Sequence, residues 1–129
     1  MVTDLVPPMP SPLPVAQVVA YVRELSADVR GVAVLAADGS IHAEPAALGP
    51  PAAALAALLE HGWVRVPEGL ALVARSAAGA CVVVAAGPLA LAGPTALDAA
   101  AALAAPVPGP IPDPSPPVRE AARALLAAT

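Results

Sequence analysis

Apolar positions along the chain change their period several times, and each change marks an element. In "VAQVVAYVREL", residues 15–25, Val15, Val18, Val19, Val22 and Leu25 recur at helical spacing while Gln17, Arg23 and Glu24 fall opposite. That pattern predicts an amphipathic first helix, with Pro14 suited to its opening turn. "GVAVLAADGSIHAE" then reads as strand, Asp38-Gly39 turn, strand. Asp-Gly favours a two-residue hairpin in which both turn positions take positive φ. The first arm, Val32 to Ala36, is apolar throughout, as befits an interior strand covered on both faces. The second arm alternates, with Ile41 and Ala43 to one side and Ser40, His42 and Glu44 to the other.

"PPAAALAALLEHG" predicts a second helix in which Leu55, Leu58 and Leu59 form one stripe, prolines fit the start and Gly62 fits a left-handed C-cap. The rest of that helix is mostly alanine, smooth enough for another helix to approach closely. "WVRV" is a short strand stopped by Pro67, and "LALVARS" and "ACVVVAA" form a second hairpin around Ala78-Gly79. Thr95 is expected to cap "TALDAAAALAA", with Asp98 as its capping-box partner, and Pro106 ends this third helix. The order is helix-strand-strand-helix-strand-strand-strand-helix. Hairpins dominate it, so the fold class is α/β, a five-stranded and mainly antiparallel sheet with helices packed on it.

Proline runs frame these elements. Residues 1–11 read as a Pro-rich tail, 12–105 as the domain, 106–117 ("PVPGPIPDPSPP") as a Pro-rich linker, and 118–129 as a short amphipathic helix. In that last piece Val118, Ala122, Leu125 and Leu126 share a side, with Arg119, Glu120 and Arg123 elsewhere. So short a helix is unstable alone. It docks on its own domain or folds onto a partner, and both remain open.

Composition sharpens the picture. Of 129 residues 58% are hydrophobic, but many are alanine, Phe is absent, and Trp63 and Tyr21 are the only aromatics. Val and Leu must supply the core, so stability gained from self-association is expected. A net charge of −4, with six arginines and no lysine, argues against a nucleic-acid surface. The lone Cys81 excludes an intrachain disulfide and a multi-cysteine metal site. "MVTDLVPPMPSPLP" lacks the basic start of a signal peptide, which points to the cytoplasm. From Ser76 to Leu97 no residue is charged, a length able to span a bilayer. Gly87-Pro88 and Gly93-Pro94 interrupt it, and no basic cluster flanks it, so no membrane role is expected.

Candidate chemistry is sparse. Ser40, His42 and Glu44 have the residue types of a hydrolytic triad, but neighbours two apart on one strand face sit about 7 Å apart. A nucleophile needs its base within about 3 Å, so these read as the solvated side of a hairpin arm. His61 is expected to meet the last carbonyls of the second helix, and Cys81 to be a small buried hydrophobe. No glycine-rich stretch matches a phosphate-binding fingerprint. Hence no catalytic, metal or cofactor-binding residue is assigned. Trp63 either plugs the end of the core or belongs to an interface, where Trp and Arg are enriched.

With its helix ending before "VRGVAVLAADGSIHAE", its helix "PAAALAALLEHG" and its run "WVRVPEGLALVARSAAGACVVVAAGPLALAGPTALDAAAALAA", the chain resembles the Roadblock/LC7 family, most of all its short bacterial members. The resemblance covers Val15 to Ala105. It implies an α/β/α sandwich with helices one and three on one face and helix two on the other. It also implies a homodimer in which second helices pack and third strands pair, placing Leu55, Leu58, Leu59, Trp63, Val64, Arg65 and Val66 at or near the dyad. By the same resemblance the protein is a non-catalytic adaptor, its partners itself and a small Ras-like GTPase. The two prolines of the segment from Pro88 to Pro94, the proline-rich tail and the terminal helix depart from the family pattern. The alternative function is a small sensing domain that holds a metabolite between sheet and helix.

Overall fold

A computed structural model describes residues 15–25, 29–86 and 92–129. The expected N-terminal tail and most of the Pro88–Pro94 segment lie outside the described residues, as do the side chains of Val15, Leu25 and Asp98. The fold is mixed α/β, with four helices and one five-stranded antiparallel sheet. Its elements are α1 (Val15–Leu25), β1 (Val29–Ala36), β2 (Ile41–Glu44), α2 (Gly49–Leu58), β3 (Gly62–Val66), β4 (Gly69–Ser76), β5 (Gly79–Ala86), α3 (Ala92–Leu103) and α4 (Pro116–Ala127). The strand order is β2-β1-β5-β4-β3, so the most apolar strand, β5, lies at the centre.

Period-2 alternation divides each inner strand between two cores. On one side Val32 and Val34 of β1, Leu72 and Ala74 of β4, and Cys81 and Val83 of β5 meet Val18, Val19 and Val22 of α1 and the alanines of α3. On the other side Ala33, Val64, Val66, Ala71, Val73, Val82 and Val84 meet Leu55 and Ala52 of α2. The same face also receives Val118, Ala122 and Leu125 of α4, at the i, i+4, i+7 spacing of one helical stripe. The terminal helix therefore docks on its own domain, lying beside α2 and over β3, β4 and β5.

The path to that dock runs around the edge of the sheet. Beyond α3 a Schellman turn forms, in which the Ala105 N–H bonds the Ala100 carbonyl at 2.8 Å and the Ala104 N–H bonds that of Ala101 at 3.3 Å. Ala104 holds the left-handed position (φ 51°) usually given to glycine. The chain then passes β3, where the Trp63 N–H donates to the Gly109 carbonyl (2.9 Å) and the Ile111 N–H donates to the Trp63 carbonyl (3.0 Å). Trp63 and Pro110 thus form an isolated parallel bridge. Residues 106–117 are therefore a strap that carries the chain from the α3 face to the α2 face.

Several local expectations change. The first hairpin turn has positive φ at Gly39 alone (90°). It is closed by the Gly39 N–H on the Ala36 carbonyl and the Ala36 N–H on that of Ser40, a wider loop than the two-residue turn. Ile41 is half exposed, and Ala43 alone of its pair packs on the core. Helix α2 ends at Leu58, so Gly62 opens β3 rather than capping a helix. Its φ of 144° and its closeness to the strap explain the glycine, since a Cβ there would lie 2.5 Å from Ile111 Cδ1. Helix α3 starts three residues before Thr95, with Pro94 in its first turn, so Thr95 is a buried residue inside the helix and not its N-cap.

Gly62→Ala is expected to lower unfolding free energy in urea by about 2 kcal/mol or more, through strain and displacement of Ile111. Because α4 completes a core, Leu125→Ala should cost about 2–5 kcal/mol, against under about 1 kcal/mol for the half-exposed Leu58→Ala.

Candidate interaction surface

The residues singled out for an interface part company in the structure. Leu55, Val64 and Val66 are buried within one chain, under α4 and against α2, and Leu59 is buried at the helix end. Leu58 is 53% exposed and Arg65 is exposed. Trp63 is half buried and leans to the opposite face, against Leu70 and Ala85, with the Arg65 guanidinium 5.8 Å from its ring centre. Of the seven, Leu58, Trp63 and Arg65 keep accessible surface. Pairing of two β3 edges at Trp63 would require the strap to leave, whereas α2 keeps Ala54, Ala57 and Leu58 exposed on its outer face.

What the sequence places on β3 and α2 is thus a peptide seat, and it is filled. An edge strand offers its outward backbone groups to an extended segment, and the adjoining seam takes an amphipathic helix. Ties beyond apolar packing are few. They include the two Trp63 backbone bonds and an exposed ion pair, Arg123 Nε to Glu68 Oε1 at 3.3 Å. Such a surface pair contributes at most about 1 kcal/mol.

Beside the seat stands a residue that the spacing arguments passed over. Arg75 of β4 donates from Nη2 to the Ala56 carbonyl (2.7 Å) and from Nε to the Glu60 carbonyl (2.9 Å), closing the C-terminal end of α2. The position of His61 in sequence, at the end of the helix, predicts it on those carbonyls. Arg75 takes them instead, and His61 Nδ1 accepts the Arg75 backbone N–H at 3.3 Å. That acceptor role leaves Nε2 as the donor of the neutral ring, buried and without a partner among the described residues. A broad cavity of 570 Å³ opens here, lined by Leu59, Glu60, His61, Arg75, Ser76 and Pro106. The signal for Arg75 was its isolation, the single charge of an otherwise apolar strand, half-buried near its end, where a cation gains from acceptors close at hand.

The apparent triad does not assemble. The Ser40 hydroxyl donates to Asp38 Oδ1 at 2.6 Å, and the Ser40 N–H donates to the same oxygen at 2.9 Å, an Asx turn at the hairpin tip. These bonds, the hydroxyl's first, hold the Asp38 carboxyl below its ordinary pKa. His42 and Glu44 are exposed on β2, and Glu44 Oε1 lies 3.9 Å from Arg23 Nη2. Cys81 is fully buried, and burial pushes its thiol pKa up to about 12. Among the described residues no group of three or more His, Cys, Asp or Glu side chains is placed to hold a metal ion. No helix among them is long and apolar enough to cross a membrane.

Comparison with models of known protein families, with curated proteins and with solved structures found no match.

Cys81 should resist alkylation in the native protein at pH 8 and react on unfolding, as mass spectrometry of labelled chains would show. The unfolded thiol ionises near its ordinary 9.0 while the folded one waits until about 12. Over that interval the unfolded state binds fewer protons, so stability falls as pH rises, by up to about 1.4 kcal/mol per pH unit. Arg75→Gln should cost about 1.5–3 kcal/mol in urea unfolding, from carbonyls left without their charged donor.

Proposed function

We propose that the chain is a non-catalytic interaction module of the roadblock-like kind, which binds and regulates a small Ras-like GTPase. One observation carries this reading: the side of the molecule formed by α2, β3 and β4 receives a polypeptide strand followed by a helix, here the chain's own residues 109–127. An antiparallel sheet with helices on both faces, and the exposed side chains of Leu58 and Arg65, support it. A dimer joined through its β3 edges is not part of the proposal, because the strap holds that edge at Trp63. The GTPase itself comes from the resemblance of Val15 to Ala105 to roadblock proteins.

The test is equilibrium binding of the purified full chain to each small Ras-like GTPase of its own genome, loaded with GDP or a GTP analogue. One of them should bind with micromolar affinity and show an altered hydrolysis rate, and Arg65→Glu or Leu58→Asp should weaken the complex about tenfold or more. Absence of binding across the set would end this reading.

A second reading, the sensing domain, draws support from the cavity at the end of α2, where Arg75, Ser76 and the unpartnered Nε2 of His61 gather. It predicts thermal stabilisation by a carboxylate- or phosphate-bearing metabolite that is lost in Arg75→Gln; a flat response across such compounds would dispose of it.

A further inference from the structure

From the seat of the strap and α4 we infer that two copies of this chain exchange their C-terminal segments, each α4 docking on the other copy's α2–β3 seam. Every partner of that segment belongs to the body of the domain. Trp63 holds its strand, Leu55, Val64, Val66 and Val73 share its core, and Glu68 meets Arg123. None depends on which chain supplies the segment, so exchange reproduces the observed contacts without inventing an interface.

The connection favours it. Only residues 106–108 lie between the Schellman turn at Ala104–Ala105 and the first strap contact at Gly109, and within them the path must leave the α3 face for the sheet edge. Pro106 and Pro108 have fixed φ and lack N–H groups, and each biases the residue before it towards extended backbone. Prolines recur at every second position from 106 to 116. Once undocked, the segment is therefore a stiff arm that reaches outward, roughly 35 Å over residues 106–117 at about 3.1 Å per residue. Residues 105–109 form neither turn nor bend, so the connection is already extended in its own chain and can run on with the same backbone into a neighbour, the setting in which segments exchange.

In one chain the effective concentration of the arm is about millimolar, so the closed monomer prevails at micromolar protein and exchanged dimers form on concentration or refolding. Deleting Pro106 and Val107 keeps the alternation of prolines but leaves Gly109 too close to α3 to reach its own Trp63. This variant should be a dimer at micromolar concentration by light scattering, its dimer share up about tenfold or more over the full chain, with Arg119 and Arg123 protected from trypsin. A monomer whose α4 is rapidly cleaved would overturn the inference, as would a dimer with its tails cut at the rate of an unfolded peptide.

If the shortened chain precipitates, two full-length surface variants decide. Glu68→Arg and Arg123→Glu each place like charges together in a closed monomer, but refolded together they restore opposite charges at both seats of an exchanged pair. Mixed dimers should exceed the statistical share. A statistical mixture, or none, rejects exchange. The inference rests on the tail's seat alone, so failure to bind any GTPase would leave it standing.

Discussion

One face of the sheet is wider than a single helix covers, and the rest of the structure follows from how that is met. Helix α2 has 10 residues, half of them alanine, and lies towards β1, β2 and β5. Without a further layer Val64, Val66, Ala71 and Val73 would face water, in a chain that has no Phe and only two other aromatics. At roughly 25 cal/mol per Å² of apolar surface, that exposure is a serious loss for a small domain. Helix α4 supplies the cover from the same chain, and the strap exists to bring it there.

That arrangement shows which parts of the fold sequence can reveal. The helices and strands were legible from their periods, and the two cores follow from alternation in β4 and β5. Boundaries were less legible, because local signals compete with tertiary ones. Gly62 has the chemistry of a helix cap, yet its freedom is used where Ile111 passes. Thr95 and Asp98 fit a capping box, yet the helix starts at Ala92. Asp38-Gly39 marks a turn correctly but not its width, which the Asx bond to Ser40 fixes.

The candidate surface was half legible. An alanine-smooth helix beside a short Trp-bearing strand announces a place where something packs, and something does. Nothing in an amphipathic stripe says whose surface it needs, so Val118, Ala122 and Leu125 left self-docking and partner-docking equal. Arg75 was missed because its role is set by two carbonyls from a helix end well before it in sequence. The polar residues that first suggested chemistry are bound locally at a hairpin tip or exposed on an edge, far too separated in role to hand a proton between them.

The bridge at Trp63 has one more consequence, for crowding. In a parallel bridge the residue between the two bonded ones turns its own backbone groups away, and here that residue is Pro110, which has no hydrogen to offer. At that bridged position the rim of the sheet thus offers a passing strand no donor, which discourages pairing there. The opposite rim, β2, is only four residues long and carries His42 and Glu44. A protein rich in alanine and valine thus ends its sheet on both sides in ways that hinder fibrillar growth, one by a missing hydrogen and the other by brevity and charge.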